Sequence, residues 1–95
     1  MYALLDGAEI LTRDDLHDSL SRQLSLPDWY GRNLDALYDC LTELHEETVI
    51  RLIHADELLA HLGMYANVLQ TMLSDACEEN PRLRFLPEPE DSEGE

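Results

Sequence analysis

The chain has 95 residues, 44 % of them hydrophobic, and carries 21 acidic side chains against six arginines and no lysine, for a formal net charge of −15. This length supports one domain with a single core and excludes a multidomain enzyme. Because a negative field repels phosphates, the composition disfavours direct binding of nucleic acid and favours a basic protein as partner. The acidity is equally well explained by solubility alone.

The first strand and the first helix follow from short-range patterns. Residues 2–6 form an apolar run that predicts a buried strand, and Gly7 ends it. Thr12 and Asp15 have the spacing of a capping box, after which leucines repeat every four residues. We therefore predict a helix over about 13–24.

A loop, a second helix and a second strand come next. Proline and glycine mark residues 25–33 as an exposed loop, and Asn33 is suited to cap a helix that runs to about Glu43. The β-branched run at 48–53 predicts the second strand.

Two further helical pieces are separated near Gly63. The later piece is expected to bury an apolar face on a long helix. The residues of that predicted face are Tyr65, Val68, Leu69, Met72, Leu73 and Ala76.

The last part of the chain predicts a strand and an acidic tail. Residues 82–86 form a third strand that Pro87 is expected to stop. Residues 87–95 have nothing large and apolar to bury, so we predict a disordered tail outside a domain at 1–86. This order of elements implies an α/β fold, a small three-stranded parallel sheet with α-helices packed on it.

The second helix separates apolar from acidic side chains. At 100° per residue, its core-facing side consists of Leu34, Leu37, Leu41 and Leu44. The outward side, here termed the acidic ridge, consists of Asp35, Asp39, Thr42, Glu43 and Glu46. Like charges four residues apart on an exposed helix disfavour each other by about 0.2–0.5 kcal/mol, so folding does not explain Asp39.

Aromatic side chains flank the acidic ridge. Trp29 and Tyr30 lie in the loop, and Tyr38 lies at the boundary between the ridge and the core. Rings beside carboxylates are typical of interface hot spots, because rings supply desolvated area and carboxylates supply direction. Each ring taken singly is also explained by packing, with Trp29 capping the core and Tyr38 at its edge.

The segment LPDWYGRNLDALYDCL at 26–41 resembles the signature of the barstar family, small intracellular inhibitors of barnase-type, guanyl-specific ribonucleases. The likeness extends to the opening strand, to DLHDSL in the first helix and to VLQ at 68–70, and it covers residues 1–86. In that family the loop and the second helix plug the nuclease active site, where carboxylates occupy the places of RNA phosphates. The resemblance therefore implies a barstar-like fold and a basic ribonuclease as partner.

The resemblance also implies a set of partner-binding residues. The matching motif positions are Trp29, Tyr30, Gly31, Asn33, Asp35, Tyr38 and Asp39. We add Thr42 from the acidic ridge and Glu78, the nearest match to an acid that the late helix contributes in the family.

Several features depart from the family pattern, among them Arg84, which interrupts the third strand, and the additional acidic tail. Tyr38 stands where the best-known member has tryptophan, and Ser74 stands where a late-helix acid is expected. Arg32 adds a positive charge to the loop, which either pairs with Asp28 or Asp35 or meets an acid on a different nuclease. Because Arg32 and Ser74 affect partner choice, we expect a cognate other than barnase itself.

Two other functions are alternatives to inhibition. An enzyme would use Asp35, Asp39 and His45 as catalytic groups, or residues 45–47 as metal ligands, but a solvent-facing ridge offers no pocket to shape pKa values or coordination. The other three histidines are scattered, and we expect every histidine at the surface or the core boundary. We predict no enzymatic activity, no metal and no cofactor. A barstar-like protein that binds another basic protein without inhibiting a nuclease stays open.

The cellular setting is also inferred from the sequence. The first residues lack the basic leader and apolar stretch of a secretory signal, so we expect a cytoplasmic protein that is monomeric when free and not bound to membrane. Cys40 and Cys77 receive no redox role, because a cytoplasmic setting keeps thiols reduced. Asp18, on the first helix, is treated as remote from the acidic ridge.

Overall fold

The computed structural model describes residues 1–27 and 29–87. Within these residues the elements are β1 (Tyr2–Asp6), α1 (Arg13–Leu24), α2 (Leu34–Thr42), β2 (Thr48–Ile53), α3 (Ala55–Leu62), α4 (Met64–Glu79) and β3 (Leu83–Pro87). The predicted elements are confirmed to within one residue at their ends. Pro87 does not stop the third strand but is its last residue, and the rest of the predicted tail lies outside the described residues.

The three strands form one parallel sheet in the order β1-β2-β3. In this register Leu5 lies opposite Leu52, and Ile50 lies between Ala3 of β1 and Phe85 of β3. Parallel sheets carry helices on their faces, and Ala3, Leu5, Ile50 and Leu52 are accordingly inaccessible to solvent. The predicted α/β fold with a three-stranded parallel sheet is therefore confirmed.

The outer edge of β1 is covered by a side chain of α1. The Gln23 amide Nε2 donates to the Leu4 carbonyl oxygen at 2.9 Å, and Gln23 Oε1 accepts from the Leu4 N–H at 2.8 Å. Gln23 is held in turn by Ser19, whose Oγ lies 2.8 Å from the same Nε2. One side chain thus satisfies both backbone groups of an edge residue, which would otherwise be open to another strand.

Leucines from all four helices in the described part of the chain fill the core. The fully buried ones are Leu16, Leu20, Leu24, Leu37, Leu41, Leu58, Leu69 and Leu73. Leu34 and Leu44, which the sequence assigned to the core, are half-buried and pack against it. None of these helices is both long and apolar enough to cross a membrane.

The buried face of α4 differs from the predicted one. Its buried residues are Ala66, Leu69, Leu73 and Ala76, at spacings of three and four that form one stripe of a helix. Val68, assigned to the core, is 48 % exposed, and Tyr65 and Met72 are half-buried. The prediction was right at Leu69, Leu73 and Ala76 and wrong at Val68, and it omitted Ala66, because the apolar pattern alone fits more than one orientation of the helix.

Gly7 lies where α3 packs on the end of β1. Its N–H donates to the Ile53 carbonyl oxygen at 2.9 Å. A Cβ atom placed on Gly7 would lie 2.0 Å from the His54 carbonyl oxygen and 2.8 Å from the Leu58 nitrogen, both backbone atoms. The close approach of two backbone segments therefore requires glycine here.

Candidate functional site

The acidic ridge is formed on the solvent side of α2. Leu37 and Leu41 are fully buried, which turns Asp35 and Asp39 outward, and both aspartates are exposed. Of the other ridge residues, Glu43 is exposed and Thr42 is half-buried. The predicted separation is confirmed for Asp35 and Asp39, whereas Glu43 and Glu46 follow Thr42, the last residue of α2, and do not lie on its face.

The start of α2 is fixed by Asn33, the predicted N-cap. The Ala36 N–H donates to Asn33 Oδ1 at 2.8 Å, and Asn33 Nδ2 donates to the Gly31 carbonyl oxygen at 3.3 Å. Asn33 thus stabilises the helix and shapes the preceding loop with one side chain. Its direct contact with a partner stays a prediction.

The other end of α2 is fixed by Asn80, a residue that the sequence analysis missed. Asn80 is only 4 % exposed, and its Nδ2 donates to the carbonyl oxygens of Leu41 and Leu44 at 2.9 and 3.1 Å. The amide therefore satisfies backbone acceptors that the end of a helix leaves open. Thr42 is also engaged locally, since its Oγ1 donates to the Tyr38 carbonyl oxygen at 2.9 Å.

A groove of about 770 Å³ runs between α2 and α4. Its lining residues are Leu34, Asp35, Tyr38, Asp39, Met64, Asn67, Val68, Thr71, Met72 and Asp75. Three of these residues are acidic, and none is basic. Asp75 was not among the predicted site residues. It directly follows Ser74, so α4 supplies an acid one position after the place where the family pattern expects one.

Tyr38 lies among acids from both helices. Partial burial, followed by the charges of Glu79, Asp75, Asp39 and Glu78, raises the pKa of its hydroxyl. A tyrosine hydroxyl is protonated at neutral pH in any case, so Tyr38 can donate a hydrogen bond, and the surrounding acids further favour the protonated form. Glu78, predicted from the late helix, is exposed and belongs to this electrostatic environment.

The loop before α2 is only partly exposed. Trp29 is 77 % exposed, as the predicted contact role requires, but Tyr30 is 6 % exposed. The prediction that the whole of 25–33 is exposed was wrong at Tyr30, because this ring belongs to the core and its hydroxyl finds a buried partner. That partner is His17, whose Nδ1 lies 2.5 Å from the Tyr30 hydroxyl oxygen.

His17 of α1 contacts both α4 and the loop before α2, and the prediction that it lies at the surface or the core boundary was wrong. It is 1 % exposed rather than at the surface or boundary, and its Nε2 lies 2.8 Å from the Tyr65 hydroxyl oxygen. The guanidinium carbon of Arg13 lies 4.2 Å from the centroid of the Tyr65 ring. His17 thus ties the loop, through Tyr30, to α1 and α4. Two tyrosine hydroxyls satisfy both ring nitrogens, so no polar atom of the buried imidazole is left without a hydrogen-bond partner.

We expect stability to fall as the pH is lowered from about 7 to below 6. Burial, and then the charge of Arg32, lowers the pKa of His17 from 6.5. The unfolded chain therefore takes up a proton at a pH where the folded chain does not, and acid favours unfolding in this window. Urea unfolding of wild type and His17→Gln at several pH values measures this dependence. It should be shallower in the variant, and equal slopes would contradict the assignment.

Arg32 pairs with α1 and not with Asp35. Its Nη2 lies 2.7 Å from Asp18 Oδ1 and 3.7 Å from Asp14 Oδ1, and it donates to the Asp14 carbonyl oxygen at 3.3 Å. The hydrogen bond to Asp18 raises the pKa of Arg32 further above its already high ordinary value. Asp28, the other predicted partner, lies outside the described residues. Asp18, which the sequence placed away from the acidic ridge, is therefore in contact with the loop before α2 through Arg32.

The described residues show no arrangement suited to a metal ion. Residues 1–27 and 29–87 contain no group of three histidine, cysteine, aspartate or glutamate side chains close enough to hold one. Cys40 and Cys77 are free and half-buried, and burial raises the pKa of each thiol. A raised pKa reduces the thiolate fraction on which cysteine reactivity depends.

The fold is a small parallel sheet covered by helices. Its second helix carries an acidic ridge and is capped by Asn33 at the end of the preceding loop. These features define a barstar-like protein. The family described as "Barstar (barnase inhibitor)" matches residues 1–88, and the chain belongs to this family. It is similar to a protein of Bacillus subtilis (strain 168) named "Putative ribonuclease inhibitor YrdF". The two are 38 % identical over 77 residues, which cover 80 % of this chain and 85 % of that protein. The resemblance inferred from residues 26–41 is thereby confirmed.

Proposed function

We propose that this protein inhibits a basic, barnase-type ribonuclease by placing α2 and the loop before it over the nuclease active site. The observation that carries the proposal is the exposure of Asp35 and Asp39 on one face of α2, beside Asp75 across the groove. In this proposal the carboxylates take the places of RNA phosphates. A pocket of arginine, lysine and histidine built for a phosphodiester offers each of them charge-assisted hydrogen bonds.

The aromatic residues supply the apolar part of the proposed contact. Trp29 is largely exposed at the tip of the loop, and Tyr38 lies beside Asp39 on α2. Rings of this kind bury a large area at a small cost in conformational entropy, and they commonly anchor interfaces. We expect both rings to contact the nuclease, whereas Tyr30 contributes by fixing the loop.

The loop is held in place before any partner binds. Tyr30 is anchored by His17, Arg32 is paired with Asp18, and Asn33 caps the following helix. A segment that is already ordered loses little further conformational entropy on association. In our proposal the free protein is a cytoplasmic monomer whose binding surface needs little rearrangement.

The proposal is tested by RNA hydrolysis. Barnase and several other guanyl-specific ribonucleases are titrated with the protein while cleavage of a fluorogenic RNA substrate is recorded. Inhibition predicts a loss of cleavage that is complete near one equivalent for at least one nuclease. Binding to a nuclease or another basic protein without any loss of cleavage would instead support the interaction protein. Hydrolysis of RNA by the protein alone would support an enzyme.

A further inference from the structure

We propose that the groove between α2 and α4 binds an apolar side chain of the ribonuclease, next to a basic residue that meets Asp75. This inference rests on the proposed function and extends the predicted contact on α4 beyond Glu78, to residues that line the groove. It assigns roles to Met64, Val68 and Asp75, which form one wall of the groove. The apolar side chain and the basic residue that the inference requires on the ribonuclease lie beside its cationic phosphate pocket, not in the pocket itself.

The exposed apolar residues of α4 form a stripe. Met64 is 73 % exposed and Val68 is 48 % exposed, and they lie four residues apart on one helix face. Met72 continues the same stripe, and Leu34 faces it from α2 in the same groove. Singly exposed apolar side chains are common on protein surfaces, but several that line one groove indicate an interaction site.

The fold gives no internal reason for this apolar surface. The stripe of α4 that packs on the core consists of Ala66, Leu69, Leu73 and Ala76. Val68 and Met64 lie off that stripe and gain little from burial in the free protein. The sulfur of Met64 lies 3.9 Å from Nδ2 of Asn67, which is itself exposed. Binding of an apolar group would remove this surface from water.

The charge of the groove selects the kind of occupant. Asp35, Asp39 and Asp75 line it without any basic residue among its described lining. A second copy of this chain, with a formal net charge of −15, would bring like charge to the groove. A basic protein brings the opposite charge, and juxtaposed like charges are costly at an interface. The occupant is therefore assigned to the basic ribonuclease.

The groove is continuous with the proposed inhibitory surface. Asp35, Tyr38 and Asp39 belong to both, so a nuclease seated on α2 necessarily covers one wall of the groove. The same complex then places part of the nuclease surface opposite Met64 and Val68. An apolar residue at that position would add specificity that does not depend on the phosphate pocket.

The test compares two sets of near-isosteric substitutions. The double variant Met64→Gln and Val68→Thr keeps the shape of the wall but makes it polar. Leu59→Gln is the control, since Leu59 is 43 % exposed on α3 and is not among the groove residues. Association and dissociation rates with the most strongly inhibited ribonuclease of the titration are measured at low and high salt, and melting temperatures verify folding.

We expect the double variant to dissociate about tenfold faster with an almost unchanged association rate, because apolar contacts act mainly on dissociation. Its loss of affinity should be the same at both salt concentrations, and the Leu59→Gln control should bind as wild type. Equal dissociation rates for the double variant and wild type would overturn the groove assignment while inhibition itself stands. If no ribonuclease is inhibited by the wild type, the proposed function fails, and the groove assignment falls with it.

Discussion

Replacement of Asp39 by alanine should weaken ribonuclease binding by about 2 kcal/mol or more, roughly 30-fold in affinity, while the fold is retained. Losses of this size are typical of interface hot spots, and the barstar family is among the known examples. The physical reason is that a cationic pocket closed over alanine keeps several buried positive groups without a partner. The stability of the free protein should be unchanged or slightly higher, because Asp39 is exposed and lies four residues from Asp35.

Two measurements check this prediction. Dissociation of the complex gives the loss in binding, and thermal unfolding of the free variant gives the change in stability. Asp56→Ala is the matched control, because Asp56 is an exposed aspartate on α3, which contributes no residue to the groove. Asp18 is not a suitable control, since it pairs with Arg32 of the loop. Equal, small effects of Asp39→Ala and Asp56→Ala on binding would refute the acidic ridge as the inhibitory surface.

Salt dependence gives a second readout for the same variant. Association of the wild type with a basic nuclease should slow as salt is added, because oppositely charged surfaces steer the encounter. Asp39→Ala should retain much of this steering, since Asp35, Asp75, Glu78 and the rest of the net charge remain. Its defect should therefore appear mainly in dissociation, which separates a specific contact from a general effect of charge.

The second large effect is expected from Gly7→Ala, which should reduce the free energy of unfolding by about 3 kcal/mol or more. The added methyl group would meet the His54 carbonyl oxygen at 2.0 Å and the Leu58 nitrogen at 2.8 Å. Neither atom can rotate away, because both are backbone atoms, one at the N-cap of α3 and one in its first turns. Relief of the clash requires α3 to move off the end of β1.

Urea unfolding of Gly7→Ala and Gly31→Ala measures the difference. Gly31 is the control, because its φ is not positive and the nearest atoms to an added Cβ are side-chain atoms at 3.3 Å. We expect a clearly smaller loss for Gly31→Ala. A loss at Gly7 as small as the one expected at Gly31 would show that α3 moves easily, and the close packing at Gly7 would then contribute little to stability.

Elements with strong local signals were predicted correctly from the sequence. The Thr12–Asp15 capping box, the Asn33 cap and the β-branched run at 48–53 each depend on interactions between residues a few positions apart. Such interactions can be inferred from spacing. The acidic ridge follows in the same way, since the helical period alone separates Asp35 and Asp39 from the leucines.

Features that depend on contacts between distant segments were missed. His17 was expected at the surface or boundary, as for any isolated histidine, because the two hydroxyls that satisfy its ring nitrogens belong to Tyr30 and Tyr65, 13 and 48 positions away. Asn80 reaches the end of α2 from 36 and 39 residues away. The rotation of α4 that exposes Val68 and brings Asp75 to the groove is likewise set by tertiary packing. The apolar pattern alone fits more than one orientation of the helix.

The amide of Gln23 has a consequence for how this protein meets other chains. A side-chain amide has the same donor and acceptor as a peptide group. At Leu4 it occupies the two backbone groups to which an incoming strand would bind. A neighbouring molecule could extend the sheet beyond β1 only by displacing it, which hinders stacking of copies into a continuous sheet. On the opposite edge, β3 carries the exposed charge of Arg84. Addition of a partner strand to the sheet edges is therefore disfavoured, and a partner is more readily bound through side chains on the helices.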